Sequence, residues 1–199
     1  PLSSFCHKAL IALYENDTAF EPVIVELGEE KSRAPFLKVW PGGKFPVLRD
    51  EARDLTIPES SIIIEYLAQY RPGKSALVPA DPELARQTRL RDRFFDFFIH
   101  LQMQKVMNDR RRPEGQRDPY GVAEARAQLR MAYDMLERDM AGKTWATGED
   151  FTMADCSAGP ALFYARLAEP VCPCHGYVAA YLDRLMNRPS YARALKEAE

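Results

Sequence analysis

The segment GGKFPVLRDEARDLTIPESSIIIEYL, residues 42–67, decides the fold because it leads from a hairpin directly into a helix. Its first half predicts two short strands joined by a polar turn at residues 50–54. Its second half predicts a third helix that begins at Pro58 or Glu59, with proline and acid in the first turn. Pro46 stands at the start of a strand, where proline cannot donate to the ladder. It is either an edge proline of the hairpin or part of a cis Phe45–Pro46 bond, which costs roughly 0.5–1 kcal/mol before proline.

The residues before this segment alternate between helical and strand-like patterns. Residues 3–16 space their apolar side chains as an amphipathic helix does, with a serine at the N-cap and His7 expected on the helix surface. Residues 20–27 have the β-branched density of a short strand, and residues 31–40 are helical or irregular. A parallel strand normally precedes the first helix of such a unit. We therefore expect the first strand of the α/β unit to lie outside the given sequence.

The residues after the segment lose the strand signals. Residues 71–83 carry three prolines and a glycine, and long amphipathic helices follow them. We predict an α/β domain at residues 1–72, a linker at 73–83 and an all-helical domain at 84–199. The aromatic cluster at residues 94–98 is expected to pack in the core or at an interface.

Composition excludes several classes of function. The 199 residues are 46% hydrophobic and 28% charged, with a net charge of −2, so nucleic acid and acidic membranes are not expected partners. No apolar run reaches the roughly 20 residues that span a bilayer. The opening residues PLSSFCHKALIALYE have no basic leader, and four scattered cysteines predict no disulfide framework. A cytoplasmic protein is the expectation.

Two predicted helix starts carry the residue types of a ligand site. At the first helix, Ser3, Ser4 or Cys6 could interact with an anion held at the N-terminus, and a bound thiol would be ionised more easily there. At the third helix, Ser60 and its backbone N–H could hold a carboxylate, and Glu59 could pair with an amino group. Plain capping explains the same residues. A cis Phe45–Pro46 bond would offer the backbone of Phe45 to a peptide-like ligand.

One further motif, Cys172-Pro-Cys174-His175, invites a metal interpretation. A single Cys-x-Cys-His run has no second ligand pair at the spacing of a zinc site. We therefore expect a loop between helices and no metal.

These motifs together resemble those of the cytosolic glutathione transferases. The capping serines at 3–4, GKFPVL at 43–48 and PESSIIIEYL at 58–67 occur in that family's order and spacing. EDFTMAD at 149–155 resembles the family's capping box, with Thr152 as N-cap and Asp155 three residues on, and RLMNRPSYARAL at 184–195 resembles its usual ending. The resemblance implies a thioredoxin-like N-terminal domain, an all-α C-terminal domain, glutathione as co-substrate and a homodimer.

The resemblance also assigns roles to residues. Ser3 matches the catalytic serine of the theta- and zeta-like classes, or the cysteine of the omega-like class, and Ser4 and Cys6 remain rivals. The glutathione-binding positions of the family correspond to Lys44, Phe45, Pro46, Glu59 and Ser60. The family's acceptor site lies against the first long helix, which here carries Phe98, His100, Gln104 and Met107.

The implied activity is a detoxifying glutathione transferase that attacks a small electrophile. A glutathione-dependent isomerase of the maleylacetoacetate isomerase type would use the same thiolate. Thiol–disulfide chemistry needs a cysteine in the place of Ser3 and is disfavoured. From a different class, the fold could be a non-catalytic glutathione-transferase-like binding protein.

Overall fold

The computed structural model describes residues 3–198. Its first helix, α1, spans Ser4–Glu15, and the Ser3 side chain accepts a hydrogen bond from the Cys6 N–H at the N-cap. The apolar side chains that predicted this helix face inward, with Ala9, Ala12 and Leu13 all buried. The predicted start at Ser3 or Ser4 agrees with the structure.

The rest of the N-terminal unit is a helix, a hairpin and a second buried helix. Helix α2 spans Glu30–Val39, strand β1 Val47–Asp50, strand β2 Leu55–Pro58 and helix α3 Ser60–Tyr70. The strands are antiparallel, and their register pairs Val47 with Pro58 and Asp50 with Leu55. Helix α3 begins one residue after Glu59, because Pro58 ends β2 and Glu59 has a φ of 69°, outside the helical region.

The strand predicted at residues 20–27 is wrong, since residues 20–26 have no regular secondary structure and Leu27 lies in a turn. A strand needs a neighbour to accept its hydrogen bonds, and among residues 3–198 the sheet contains β1 and β2 alone. The β-branched side chains face solvent instead, with Val23 80% exposed. Propensity alone cannot supply a partner strand.

The regular elements of the second half of the described chain are helices, apart from an isolated β-bridge between Trp145 and Gly148. Helix α4 spans Pro82–Phe94 and continues through a π-helical segment, Phe95–His100, into α5, Leu101–Arg110. A short 3₁₀ turn, Glu114–Gln116, precedes the long helix α6, Pro119–Met140. Helices α7, α8 and α9 follow at Met153–Ala168, Gly176–Met186 and Pro189–Lys196. An α/β unit followed by a helical unit is the predicted architecture.

The core is continuous across both halves because α1 packs against α7 and α9. Helix α7 lies at its centre, since twelve of its sixteen residues are buried. His7 on α1 is buried as well, between Tyr164 and Tyr191, so the expectation that it lies on the helix surface is wrong. The C-terminal helices α7 and α9 pack against α1 as well, which the local sequence of α1 does not indicate.

The aromatic cluster of residues 94–98 divides between core and surface. Phe94 and Phe95 are buried, whereas Phe97 and Phe98 are exposed. None of the helices within residues 3–198 has the length and apolar character that crossing a bilayer requires.

Candidate active site

The hairpin register brings two of the predicted motifs together. Val47 and Pro58 form the strand pair farthest from the turn, so the chain before Val47 and the chain after Pro58 leave the hairpin at the same open end. The Phe45–Pro46 bond, which is cis, lies on one side of this end. Glu59 and Ser60 lie on the other side. Segments twelve or more residues apart in sequence therefore meet at one edge.

The first helix starts beside the same edge. The Lys8 ammonium, one turn into α1, donates to the Ser61 hydroxyl at 2.7 Å, and Ser61 lies in the first turn of α3. Long side chains on a helix lean toward its N-terminus. This contact therefore sets the first turns of α1 and α3 side by side, and both positive helix ends lie near the open end of the hairpin.

Ser3 is the most accessible hydroxyl at the start of α1. It is half-buried, and its Oγ accepts from the Cys6 N–H at 3.4 Å, a long and weak capping bond. As an acceptor in that bond, the Ser3 hydroxyl keeps its own proton available for donation. A donor at a positive helix end can stabilise an incoming anion.

Ser4 is committed to an internal contact. It is 9% exposed, and its Oγ lies 2.9 Å from Nε2 of His100 in the π-helical segment. Phe5 stacks on the His100 ring at 4.0 Å between centroids. Burial, aided by the nearby Lys8 charge, lowers the pKa of His100 to about 4, so this imidazole is neutral at neutral pH. The Ser4–His100 pair joins α1 to the helical half directly behind Ser3.

Cys6 lies further into α1 and is half-buried. Burial raises the pKa of its thiol, although the Ser3 hydrogen bond opposes the shift. A thiol whose pKa is raised is mostly protonated at neutral pH. Cys6 is therefore poorly suited to act as a nucleophile.

The start of α3 is open. Glu59 holds the N-cap position with a φ of 69° and makes no side-chain capping hydrogen bond, while its side chain is exposed. A positive φ is strained for a residue with a Cβ. Ser60 directly after it is buried. This combination leaves an exposed carboxylate next to a positive helix end that Glu59 itself does not cap.

The remaining predicted glutathione-binding residues lie at the same edge. Lys44 is exposed, and Phe45 is half-buried with its ring 6.4 Å from that of Phe36 on α2. Pro46 is also half-buried, immediately before β1. Phe45, Pro46, Glu59 and Ser60 thus lie at the open end of the hairpin, and Ser3 begins the helix that packs against α3.

The predicted acceptor residues are not equally accessible. Phe98 is exposed and stacks on Phe94 with centroids 5.4 Å apart, while Gln104 and Met107 are half-buried on α5. His100 is 2% exposed and lies inside the protein, against Ser4. Gln104 and Met107 fall four and seven residues after His100, so they lie on the same helix face.

A buried ion network lies beneath the site, and sequence reasoning missed it. Lys8 is 1% exposed and contacts Asp92 at 2.7 Å and Asp96 at 3.0 Å. Ser61 donates to Asp92 at 2.8 Å, and Arg93 also bonds both carboxylates. The network joins α1 and α3 to α4 and the π-helical segment, and two cations balance two carboxylates.

The two carboxylates of this network differ in pKa. Burial opposes ionisation of Asp92, but the Lys8 charge and several hydrogen bonds outweigh it and hold the pKa of Asp92 below its usual range. Burial raises the pKa of Asp96, against the opposing pull of Lys8. One signal was available: Lys8 stands next to Ala9 and four residues before Ala12, which places a lysine at the edge of the buried helix face.

Comparison with known proteins identifies the family. Residues 1–75 match the family model for the N-terminal domain of glutathione S-transferases, and residues 119–192 match the model for the C-terminal domain. The two matches cover both halves of the fold.

Individual relatives and a solved structure agree. A glutathione S-transferase of Pseudomonas putida is 30% identical over 155 residues, covering 77% of this chain and 67% of the relative. The glutathione S-transferase-like protein LUC7 of a Fusarium species is 31% identical over 65% of this chain, and the match spans 58% of LUC7. The crystal structure of a Methylobacterium radiotolerans glutathione S-transferase, in complex with glutathione sulfonate, superposes with a TM-score of 0.80 at 27% identity, over 96% of this chain and 90% of that one. The chain, with its thioredoxin-like N-terminal domain and helical C-terminal domain, therefore belongs to the glutathione S-transferase family of enzymes.

Proposed function

We propose that the protein is a glutathione transferase that binds glutathione at the edge formed by Ser3, Phe45, Glu59 and Ser60. It would stabilise the glutathione thiolate there for attack on a small electrophile. The observation that carries the proposal is the meeting of two helix N-termini with the open end of the hairpin. Glutathione is an extended tripeptide with an anionic carboxylate at each end, and its thiol becomes anionic on ionisation. An edge with two positive helix ends suits such a ligand.

The start of α3 would hold the γ-glutamyl end of glutathione. The Ser60 hydroxyl and the free N–H groups of the first turn can donate to its α-carboxylate. The exposed Glu59 carboxylate, held beside that turn by its positive φ, can pair with the α-amino group. The α-carboxylate of glutathione would thereby accept from the helix start, and its α-ammonium would donate to the Glu59 carboxylate.

The middle of glutathione would lie along Phe45. The N–H and C=O groups of Phe45 precede β1, so a bound peptide can pair with them as a short added strand would. Lys44, which is exposed, can reach a carboxylate of the ligand. Backbone pairing fixes the direction of glutathione and sends its thiol toward α1.

Ser3 is our choice for the thiolate partner. Its hydroxyl stands at the N-cap of α1 and can donate, whereas the Ser4 hydroxyl already pairs with His100. Cys6 is half-buried, and its thiol pKa is raised. One hydroxyl donor plus the helix N-terminus would lower the pKa of the glutathione thiol, so that more thiolate is present at neutral pH.

The chemical step then needs no protein nucleophile. The glutathione sulfur donates its electron pair to the electrophilic carbon, and the leaving group departs with the displaced pair. Ser3 would hold the thiolate in position until the new carbon–sulfur bond forms. The rate enhancement would come from ionisation of the glutathione thiol and from positioning of the thiolate next to the electrophile. The electrophile would rest against Phe98, Gln104 and Met107, with His100 behind them.

We further propose a cytoplasmic homodimer, as in the cytosolic classes that the sequence resembles. Arg89 on α4 pairs with Glu65 on α3 at 2.8 Å, so the two helices are adjacent. Both carry exposed apolar side chains, and Leu90 is 59% exposed. Sedimentation of the wild type and of a Leu90→Glu variant tests this, since the charge should shift the protein toward monomer if this face is the interface.

Titration with glutathione tests the main proposal. We expect saturable binding and an increase in thermal stability, amounting to about 2.7 kcal/mol at a hundred times Kd. Ultraviolet titration of the bound thiol should give a pKa below that of free glutathione, and a chloronitrobenzene should be conjugated. If millimolar glutathione neither binds nor stabilises the protein, the proposal is wrong. Binding without conjugation would instead favour the isomerase or a non-catalytic binding protein, which an assay of cis–trans isomerisation separates.

A further inference from the structure

The loop between α7 and α8 brings three possible metal ligands together. The sulfur atoms of Cys172 and Cys174 and a ring nitrogen of His175 all lie within 4.8 Å of one another. In a tetrahedral zinc site with Zn–S of about 2.3 Å and Zn–N of about 2.0 Å, ligand atoms are about 3.5 Å apart. Both cysteines are exposed on the loop, so small loop movements can bring the ligand atoms to that spacing. In the structure the two sulfurs are joined as a disulfide.

His175 is held in the manner of a metal ligand. It is 6% exposed, and its Nε2 lies 2.7 Å from Oδ1 of Asp134 on α6. Its other ring nitrogen, Nδ1, is buried and has no hydrogen-bond partner within residues 3–198. A buried polar atom without a partner is unfavourable. Metal-bound histidines commonly show this arrangement, in which a carboxylate orients the ring and leaves the opposite nitrogen for the metal.

The surroundings of the loop suit a bound cation. The Cys174 N–H lies 3.2 Å from the Cys172 sulfur and can donate to it, which stabilises a negative charge on that sulfur. Glu137 and Asp134 add negative charge from α6, with Glu137 accepting from the N–H groups of Tyr177 and Val178 at the start of α8. Two thiolates, one neutral imidazole and nearby carboxylates suit a thiophilic divalent ion.

We propose that, in the dithiol state, Cys172, Cys174 and His175 bind a thiophilic d¹⁰ metal ion such as Zn²⁺, with Asp134 orienting His175. Reduction by a small thiol would break the Cys172–Cys174 bond: two thiol molecules join as a disulfide, and their two electrons and two protons yield the two cysteine thiols. Metal binding then releases both protons, and water completes the tetrahedron. The disulfide state lacks thiolates, so oxidation and metal binding exclude each other.

This site differs from the sequence expectation, which was a loop without metal. The Cys-x-Cys-His run has no second ligand pair, and the sequence gives no sign that Asp134 is relevant. The tertiary structure supplies Asp134 from 41 residues away and shows the unpartnered Nδ1. The inference does not depend on the proposed glutathione chemistry, because the loop shares no residue with that site.

Zinc titration of the full-length protein tests the inference. The protein is reduced with a phosphine under argon, freed of reductant and titrated with Zn²⁺ against a chromophoric chelator. We expect one Zn²⁺ per chain for reduced protein and none at this site after oxidation. Substituting Co²⁺ should produce thiolate-to-cobalt charge-transfer absorption and the strong visible bands of a tetrahedral site.

Variants decide which residues are responsible. Cys172→Ser or Cys174→Ser should weaken Zn²⁺ binding at least about 100-fold, and Asp134→Asn should weaken it about 10- to 100-fold. Cys6→Ser and Asp150→Asn, which change a thiol and an exposed carboxylate elsewhere, should retain the wild-type affinity. Circular dichroism checks that each variant is folded.

Several results would overturn the inference. The first two are that reduced protein does not bind Zn²⁺ stoichiometrically, or that oxidised protein binds it equally well. The other two are that Cys172→Ser and Cys174→Ser both keep the wild-type affinity, or that Cys6→Ser loses binding. Unchanged affinity in Asp134→Asn would remove the orienting role of that carboxylate. Each measurement reads metal binding directly, so failure of the glutathione proposal would not alter it.

Discussion

The start of α7 and the start of α3 use similar residue types in opposite ways. In α7 the Thr152 side chain and the Asp155 side chain cap each other's backbone N–H groups, which is a complete capping box. Asp155 also accepts from the Ala146 N–H at 2.8 Å and from the Tyr181 hydroxyl at 2.6 Å, and it is fully buried. The N-terminus of α7 is therefore closed, because its polar groups are buried and bonded to one another.

The start of α3 is open by comparison. Glu59 makes no capping hydrogen bond and adopts a strained φ of 69°, with its carboxylate in solvent. The start of α1 is intermediate, since Ser3 caps it through one long bond of 3.4 Å. The comparison shows that serine or acid at a helix start does not by itself indicate function. In the proposed function, the strained N-cap without a capping bond is what marks the start of α3 as a ligand site.

Asp155→Ala tests the closed terminus and should have the largest effect. Removing this carboxylate leaves several buried donors without partners, so we expect a loss of about 3–5 kcal/mol in the free energy of unfolding. Glutathione affinity of the remaining folded protein should be unchanged. Urea denaturation with and without glutathione measures both, with Asp150→Ala as the exposed control. A loss below about 1 kcal/mol would mean that the capping box contributes little.

Ser3→Ala and Ser4→Ala test the start of α1. Loss of the Ser3 donor should lower kcat/KM for conjugation about 10²- to 10³-fold, while the free energy of unfolding should change by about 1 kcal/mol or less. Ser4→Ala should do the reverse, costing about 1–3 kcal/mol of stability because His100 loses its partner. Steady-state kinetics and chemical denaturation of both variants separate the two roles. Equal kinetics for Ser3→Ala and wild type would refute the serine mechanism.

The pH dependence of stability tests His100 behind Ser4. Its pKa of about 4 in the folded protein lies below the ordinary value near 6.5, because burial disfavours the charged form. As the pH falls, His100 is protonated in the unfolded chain before it is protonated in the folded protein, and this favours unfolding. The stability contributed by the neutral imidazole is therefore fully present above pH ~6.5 and is lost as the pH falls toward 4. We expect wild type to lose about 3 kcal/mol more over this window than His100→Asn. Parallel pH profiles for the two proteins would contradict a buried neutral imidazole.

Glu59→Gly tests the strained N-cap and should have the smallest effect. Glycine tolerates a positive φ, so we expect stability to rise by up to about 1 kcal/mol. Loss of the carboxylate should weaken glutathione binding about 10-fold. Asp54→Gly is a matched control, because Asp54 also has a positive φ of 53° and lies at the far turn of the hairpin. Calorimetric titration with glutathione should show wild-type affinity for Asp54→Gly. If Glu59→Gly binds glutathione as tightly as this control does, Glu59 has no ligand role.

Local patterns predicted the features that depend on neighbouring residues. The helix start at Ser3 or Ser4, the hairpin turn and the capping box of Thr152 and Asp155 all follow from short-range residue preferences, and the structure agrees with each. The family resemblance supplied the overall fold and the proposed site edge in one step. These features required no knowledge of distant contacts.

Features that depend on distant partners were not predictable in this way. The strand predicted at 20–27 has no neighbour in the described chain, and the burial of His7 requires α7 and α9. His100 was assigned to the acceptor surface by its position on α4–α5, but its partner Ser4 lies 96 residues earlier. Local residue preferences do not specify such pairings.

The Lys8 network has a consequence for exchanging halves between relatives. Lys8 is neutralised by Asp92 and Asp96, which lie on the other half of the fold. A chimera that takes the N-terminal half from this protein and the helical half from a relative without these acids would bury an uncompensated ammonium, at a cost of about 3–5 kcal/mol. Recombination between family members is therefore constrained at the contact between the two halves. Functional hybrids must inherit Lys8 together with Asp92 and Asp96.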